Sequence, residues 1–129
     1  MIGFVLVTHT HIGHQMVLAI EQILKEKTGL IGVNFDPEIS IEKNEERIQE
    51  AVDKFKDREG VIILADIFGA TPCNLGRNLC VPGKIEMLTG CNLPIVLKAA
   101  TGNFAGEVTK TVEFLREYGR ENIRISQGK

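Results

Sequence analysis

Ile2-Gly3-Phe4-Val5-Leu6-Val7-Thr8-His9 opens the chain as a nearly unbroken apolar run that stops at a threonine and a histidine. Aliphatic and β-branched residues without polar alternation read as a strand buried on both faces, the kind that parallel sheets contain. A helical pattern resumes from Ile12. In open α/β sheets, ligands and chemistry gather where the carboxyl ends of strands meet the loops that follow. His9 stands at such a point, where an imidazole can act as nucleophile, proton carrier or metal ligand. A second run, Val61-Ile62-Ile63-Leu64-Ala65, ends in Asp66 and continues as Ile67-Phe68-Gly69-Ala70-Thr71-Pro72. Two buried-type strands ending in His and Asp mark a site.

Outward from these two runs, the spacing of Ile12, Met16, Ile20, Ile23 and Leu24 predicts a helix from Ile12 to Lys27, stopped by Gly29. Leu30 to Phe35 reads as a weaker strand, broken by Pro37. Ser40 is the expected cap of a charged helix through Phe55, with Ile41, Ile48, Val52 and Phe55 inward. After the strand ending at Asp66, Thr71 is expected to cap a helix with Pro72 at its first position, running to about Leu79. Lys84 to Leu88 reads as a fourth strand, followed by a short helix from about Pro94. Asn92 and Pro94 are expected to shape that loop as one wall of the site. A last helix from about Gly106 to Tyr118 uses Val108, Val112 and Leu115, with Gly119 as its stop. Asn122 to Ser126 then reads as a short edge strand. This βαβαβαβα order predicts an α/β fold: an open, doubly wound, mostly parallel sheet flanked by helices, with a carboxyl-terminal edge strand.

The 129 residues suit a single domain, 1–129, large enough for a hydrophobic core without staples. Hydrophobic residues make up 43% and charged residues 25%, an ordinary globular balance. A net charge of −2 gives no support to a nucleic-acid or anionic-membrane partner. The apolar stretches are strand-sized and too short to span a bilayer. The first run lacks a basic lead and is cut by Thr8 and His9, so no signal peptide is read and a cytoplasmic location is expected. Cys73, Cys80 and Cys91 form no CxxC pair and are odd in number, which argues against a disulfide framework or a zinc ribbon.

A strand-end His and a strand-end Asp have a definite joint chemistry. A carboxylate that accepts a hydrogen bond from one ring nitrogen fixes the tautomer and leaves the other nitrogen as a nucleophile. Gly69-Ala70-Thr71 adds small residues that allow close backbone approach, and the free N–H groups opening the next helix suit an anion. Nucleophile, orienting carboxylate and anion cradle are what a transient phosphohistidine requires. No metal or other cofactor is needed if a partner brings the phosphoryl group already activated.

These residues carry a resemblance. Its matching features are Gly3-Phe4-Val5-Leu6-Val7-Thr8-His9, the segment from Gly60 to Asn74 containing Asp66-Ile67-Phe68-Gly69-Ala70-Thr71-Pro72-Cys73-Asn74, and Leu88-Thr89-Gly90-Cys91-Asn92-Leu93-Pro94, and it covers essentially the whole chain. Together they are similar to the enzyme IIA component of the mannose/fructose/sorbose family of the phosphoenolpyruvate-dependent sugar phosphotransferase system. The resemblance implies that His9 receives a phosphoryl group on Nε2 from the phosphocarrier protein HPr and passes it to a IIB component. It implies Asp66 as the Nδ1 partner, and Gly69, Ala70 and Thr71 as the lining of the phosphoryl site. It also implies a homodimer in which a carboxyl-terminal strand, here Asn122 to Ser126, joins the partner's sheet. Thr10 departs from the glycine that often follows the family's histidine, and His11 and His14 are no part of the family's site.

Three alternatives stand beside this reading. The phosphotransferase subunit of dihydroxyacetone kinase also begins with a strand-end His, but the Gly-Ala-Thr-Pro-x-Asn block fits the sugar branch better. A free-standing IIA can instead be a regulatory module that signals its phosphorylation state. Thr8-His9-Thr10-His11-Ile12-Gly13-His14 imitates the Thr-His-x-His-x-Asp-His motif of metal-dependent hydrolases, with His9, His11 and His14 as ligands. Gly13 occupies the position of that motif's Asp, and no further histidine remains downstream.

Overall fold

Period-two alternation along the two most apolar strands divides the core into two halves. In β1 (Gly3–His9), Phe4 and Leu6 pack into one cluster while Val5 and Val7 pack into another. In β3 (Val61–Ala65), Ile62 and Leu64 join the first cluster, Val61 and Ile63 the second. A sheet that is apolar on both faces must be covered on both, and helices do this. The computed structural model describes residues 1–128; Lys129, the last residue of the expected domain 1–129, lies outside the described residues.

The remaining elements are α1 (Ile12–Leu24), β2 (Ile31–Phe35), α2 (Ile41–Asp53), α3 (Thr71–Arg77), β4 (Ile85–Leu88), α4 (Leu93–Thr101) and α5 (Val108–Glu121). The strands form one parallel sheet, as the sequence predicts for its first four, and their order is β2-β1-β3-β4. Residues of α1, α4 and α5 cover one face, and those of α2 and α3 the other. The chain leaves β1 toward the α1 face and leaves β3 toward the α3 face. The two loops therefore diverge, opening a crevice above the carboxyl ends of the central pair. None of the described helices is long and apolar enough to cross a membrane.

Several sequence expectations are corrected in detail. Helix α1 ends at Leu24, where Lys25 turns into the left-handed region (φ 59°), not at Lys27. Its buried stripe is Gly13, Val17 and Ile20, while Ile12 and Ile23 are 42% and 56% exposed. Gly13 sets this phase. Its N–H donates to the buried Thr8 hydroxyl at 2.8 Å, and a Cβ there would crowd Thr8 and Leu6. In α2, Ser40 caps the helix by accepting the Lys43 N–H at 3.1 Å. Asn44 replaces Ile41 on the inward face: its amide donates to Asp36 O at 2.8 Å and its oxygen accepts the Asp36 N–H at 3.0 Å.

Helix α3 is capped one residue earlier than expected. Ala70 is extended (φ −80°, ψ 167°) and Thr71 already lies inside the helix, its hydroxyl uninvolved in the cap. Gly119 does not end α5, which continues to Glu121; it is the buried point where α5 lies against Ile95 of α4. The expected edge strand from Asn122 to Ser126 is absent from the single chain. Asn122 ends α5, and residues 123–128 carry no regular structure. Among the described residues the segment pairs with no strand of its own protomer, and a lone strand without a partner is not stable.

Candidate active site

His9 is the last residue of β1 and Asp66 the first beyond β3, so the parallel register Val7↔Ala65 brings both to the same end of adjacent strands. Where the β3 ladder stops, the Asp66 side chain continues it. Asp66 Oδ2 accepts the His9 backbone N–H at 3.0 Å and also faces His9 Nδ1 at 2.9 Å. Oδ1 accepts the Ile67 N–H at 2.9 Å. The carboxylate is thus held at both oxygens, and a carboxylate that only accepts leaves the proton on Nδ1. The His9 side chain is 40% exposed and that of Asp66 only 12%.

Burial opposes ionisation of Asp66, but the hydrogen bonds from the His9 backbone and ring, the His9 charge and the Ile67 N–H outweigh it. Its carboxyl is held below the ordinary aspartate value. The nearby Cys91 behaves oppositely. Burial drives its thiol up to about 12 against the hydrogen bond to Ala65, and the negative charge of Asp66 adds to the rise. Cys91 is a neutral thiol, not a competing nucleophile.

His9 lines a cleft of about 570 Å³ together with Thr10, His11, Asn34, Phe35, Asp36, Pro37 and Arg47. Gly69, Ala70 and Thr71 do not line that cleft; Gly69 and Ala70 lie on the β3–α3 loop and Thr71 is the first residue of α3. Gly69 adopts φ 82°, a conformation glycine takes without strain, and its carbonyl accepts from the Asn74 side chain at 3.4 Å. N–H groups at the start of α3 have no carbonyl one turn back to bind, as at any helix start. Between Asp66 and Gly69, Ile67 and Phe68 are 58% and 73% exposed.

Asn92 does not reach the cleft. It caps α4 by accepting the Ile95 N–H at 3.1 Å and ties α5 through the Gly119 carbonyl at 3.0 Å. His14 is exposed on α1, and His11 Nδ1 lies 2.8 Å from the Asn34 amide nitrogen. Among the described residues no three His, Cys, Asp or Glu side chains converge on a point that could hold a metal ion, so His9, His11 and His14 form no ligand set. Asn34 and Arg47 were not singled out by the sequence. Asn34 stands at the carboxyl end of β2, where the strand-end rule applies equally, and Arg47 is one position from the inward Ile48 of α2.

The chain is 32% identical over 77 residues to the fructose-specific EIIA component of Bacillus subtilis, covering 59% of this chain and 53% of that protein. It is 25% identical to the sorbose-specific EIIA component of Lacticaseibacillus casei over 91% of this chain and 85% of that one. With the mannose-specific EIIAB component of Escherichia coli K12 it shares 24% identity over 99% of this chain and 40% of the relative. The chain therefore spans about half the length of the Bacillus protein and less of the Escherichia one. The same fold occurs in phosphotransferase system component EIIA from Streptococcus agalactiae, with a TM-score of 0.83, 24% identity and 97% of each chain covered. It occurs again in the mannose/sorbose-specific IIA subunit from Enterococcus faecalis, with a TM-score of 0.84, 19% identity and 98% of this chain and 96% of that one covered. The family model described as the PTS system fructose IIA component matches residues 3–116, and on that match the chain belongs to the EIIA-man family.

Proposed function

We propose that this chain is a phosphoryl carrier of a sugar phosphotransferase system, taking the group from HPr onto His9 and passing it to a IIB component. The observation that carries the reading is the 2.9 Å contact between His9 Nδ1 and Asp66 Oδ2. With the proton held on Nδ1, the Nε2 lone pair attacks phosphorus. The bond from phosphorus to the donor breaks as the Nε2–P bond forms, and the ring becomes a cation. Asp66 then faces a full positive charge on Nδ1–H, a charge-assisted hydrogen bond in place of a neutral one. Transfer onward reverses these steps. Gly69, Ala70 and Thr71 are the proposed backbone contacts for the phosphoryl oxygens. Exposed Ile67 and Phe68 beside Asp66 suit docking of a protein donor, since large apolar side chains clustered at a polar site mark interaction surfaces. We also propose a homodimer, with the segment after α5 joining the partner's sheet.

Phosphate transfer from labelled phospho-HPr tests the reading. Wild-type chain should take one acid-labile, base-stable label, and His9→Ala none. His14→Ala, altered at an exposed position of α1, should label as wild type. Label persisting in His9→Ala, or none in wild type with active phospho-HPr, would overturn it.

A further inference from the structure

His9 and His11 are held to opposite hydrogen-bond demands. His9 Nδ1 meets a carboxylate, which accepts, so Nδ1 bears the proton and Nε2 is bare. His11 Nδ1 meets the Asn34 side-chain nitrogen at 2.8 Å, which donates, so Nδ1 is bare and Nε2 bears the proton. Both rings line the same cleft, and Arg47 lines it with them. Arg47 Nη1 donates to the Asn34 carbonyl at 2.7 Å and to Asn44 Oδ1 at 3.2 Å. Both acceptors are neutral, so the guanidinium is fixed in place without being neutralised. Among the described residues Arg47 makes no ion pair. Asp36, the one acidic residue of the cleft, has Oδ1 committed to the Glu38 N–H at 2.9 Å.

Asn34 holds both groups, His11 through its side chain and Arg47 through its carbonyl. Its place is set by the β1–β2 register, in which Asn34 pairs with Thr8, the residue before His9. Asn34 Oδ1 is buried without a hydrogen-bond partner. Such exceptions are few in folded proteins and ask for a reason. Here the engaged end of the amide is the one that turns His11 into a donor.

We propose that His11 Nε2–H and the uncommitted N–H groups of Arg47 bind the oxygens of the phosphoryl group at His9, with Asn34 as their positioning residue. The inference rests on the phosphoryl-carrier reading and adds a second wall to it, across His9 from the β3–α3 loop. A planar guanidinium and an imidazole N–H are donor-only groups, matched to a tetrahedral dianion. They make and break no covalent bond: His9 Nε2 alone bonds phosphorus, and the His11 proton stays on His11.

The test combines nitrogen-15 NMR of the three histidine rings with transfer kinetics from phospho-HPr, in wild type, His11→Gln, Arg47→Gln, Arg47→Lys and Asn34→Ala. The ring spectra should show His9 protonated at Nδ1 and His11 at Nε2, and inorganic phosphate should shift His11 in wild type. Asn34→Ala should release the His11 tautomer while leaving that of His9 in place, which a merely structural role would not do. His11→Gln and Arg47→Gln should still be labelled at His9, but transfer about tenfold more slowly, the loss of one charge-assisted contact each. Arg47→Lys should recover part of the rate. His11 found with its proton on Nδ1, or variants that keep His9 in its tautomer and transfer at the wild-type rate, would overturn the proposal. Wild type that cannot be labelled, yet shows the phosphate shift at His11, would instead remove the carrier reading and leave an anion site.

Discussion

Asp66 Oδ2 accepts the backbone N–H of His9 at 3.0 Å and meets the ring of the same residue at 2.9 Å, so one oxygen fixes both where His9 sits and which nitrogen it exposes. Position and protonation are coupled by this arrangement. A substitution that removes the acceptor loses both.

Asp66→Asn should therefore slow phosphoryl transfer without unfolding the chain. An amide can still accept the backbone N–H through its oxygen, but it cannot also offer a negative charge to the imidazolium. If it turns its NH₂ to the ring, it stabilises the wrong tautomer. Transfer from phospho-HPr should fall on the order of 100-fold. A circular-dichroism spectrum matching wild type separates this loss from misfolding. A rate within twofold of wild type would mean that the contact has no part in the chemistry.

The same contact predicts a pH dependence of stability. The folded value of Asp66 lies below its ordinary 3.8, so the unfolded chain binds this proton at higher pH than the folded chain does. The stabilisation is complete above the unfolded value and is lost as pH falls through the lower folded one. Wild type should thus be more stable than Asp66→Asn near neutrality, with the gap closing below about pH 4. Urea titrations of both chains across pH 2.5–6 measure it, roughly the range over which an aspartate titrates. A gap that widened toward acid would contradict the assignment.

Thr10 adopts φ 47°, in the left-handed region that a β-branched residue avoids. Glycine there would relieve strain of about 1 kcal/mol. It would also add unfolded-chain entropy costing about 0.4–1 kcal/mol. The two nearly cancel. Thr10→Gly should match wild type within about 0.5 kcal/mol in chemical denaturation, and should be at least as stable as Thr10→Ala, reversing the usual order of those residues.

The pairing of His9 with Asp66, the core of the candidate site, was legible because each stands at the end of a strand-sized apolar run, where a polar side chain has few other reasons to be. Asn34 and Arg47 were not. Asn34 enters the site only through the register Thr8↔Asn34, which pairs strands distant in sequence, and Arg47 only by reaching back from α2 to the Asn34 carbonyl. Helical spacing placed the start of α1 and its inward Met16, Ile20 and Leu24, but it turned the exposed Ile12 and Ile23 inward and missed the buried Gly13, which carries no hydrophobic signal. The parallel sheet and its two-sided core followed from strand composition, whereas the strand order β2-β1-β3-β4 is set by pairings between strands that composition does not specify. The capping of α3 depended on the backbone of Ala70, which no side chain announces.

Gly60 tests whether the sheet can be weakened apart from the site. A Cβ on Gly60 would overlap the Lys84 carbonyl and a Val108 methyl, and the carbonyl belongs to a backbone that cannot yield cheaply. It lies at the amino end of β3, where its own carbonyl accepts the Gly3 N–H at 3.0 Å, opposite the end that carries Asp66. Gly60→Ala should lower stability by about 1–3 kcal/mol, as overpacking does. The rate of transfer per folded molecule should not change.

The segment beyond α5 carries the last prediction. Ile123 and Ile125 are 76% and 89% exposed, and the segment makes no ladder within its own chain. Two exposed β-branched residues in a segment without regular structure are a liability that pairing with another chain removes. Strand β4 ends the sheet with β3 as its one strand neighbour, and its outer side is bridged by Val81 at Ile85, leaving Glu86 to Leu88 without a second strand. Symmetric exchange between two copies would cover both features at once, each copy giving a segment and receiving one. Truncation after Asn122 leaves α5 and its Asn122 cap intact. In sedimentation velocity the full chain should run as a dimer and the truncated chain as a monomer, with helix content retained. Ile123→Asp with Ile125→Asp should weaken the dimer in the same direction. A truncated chain that remains a dimer would rule out exchange through this segment, and a monomeric full chain would rule out the dimer itself.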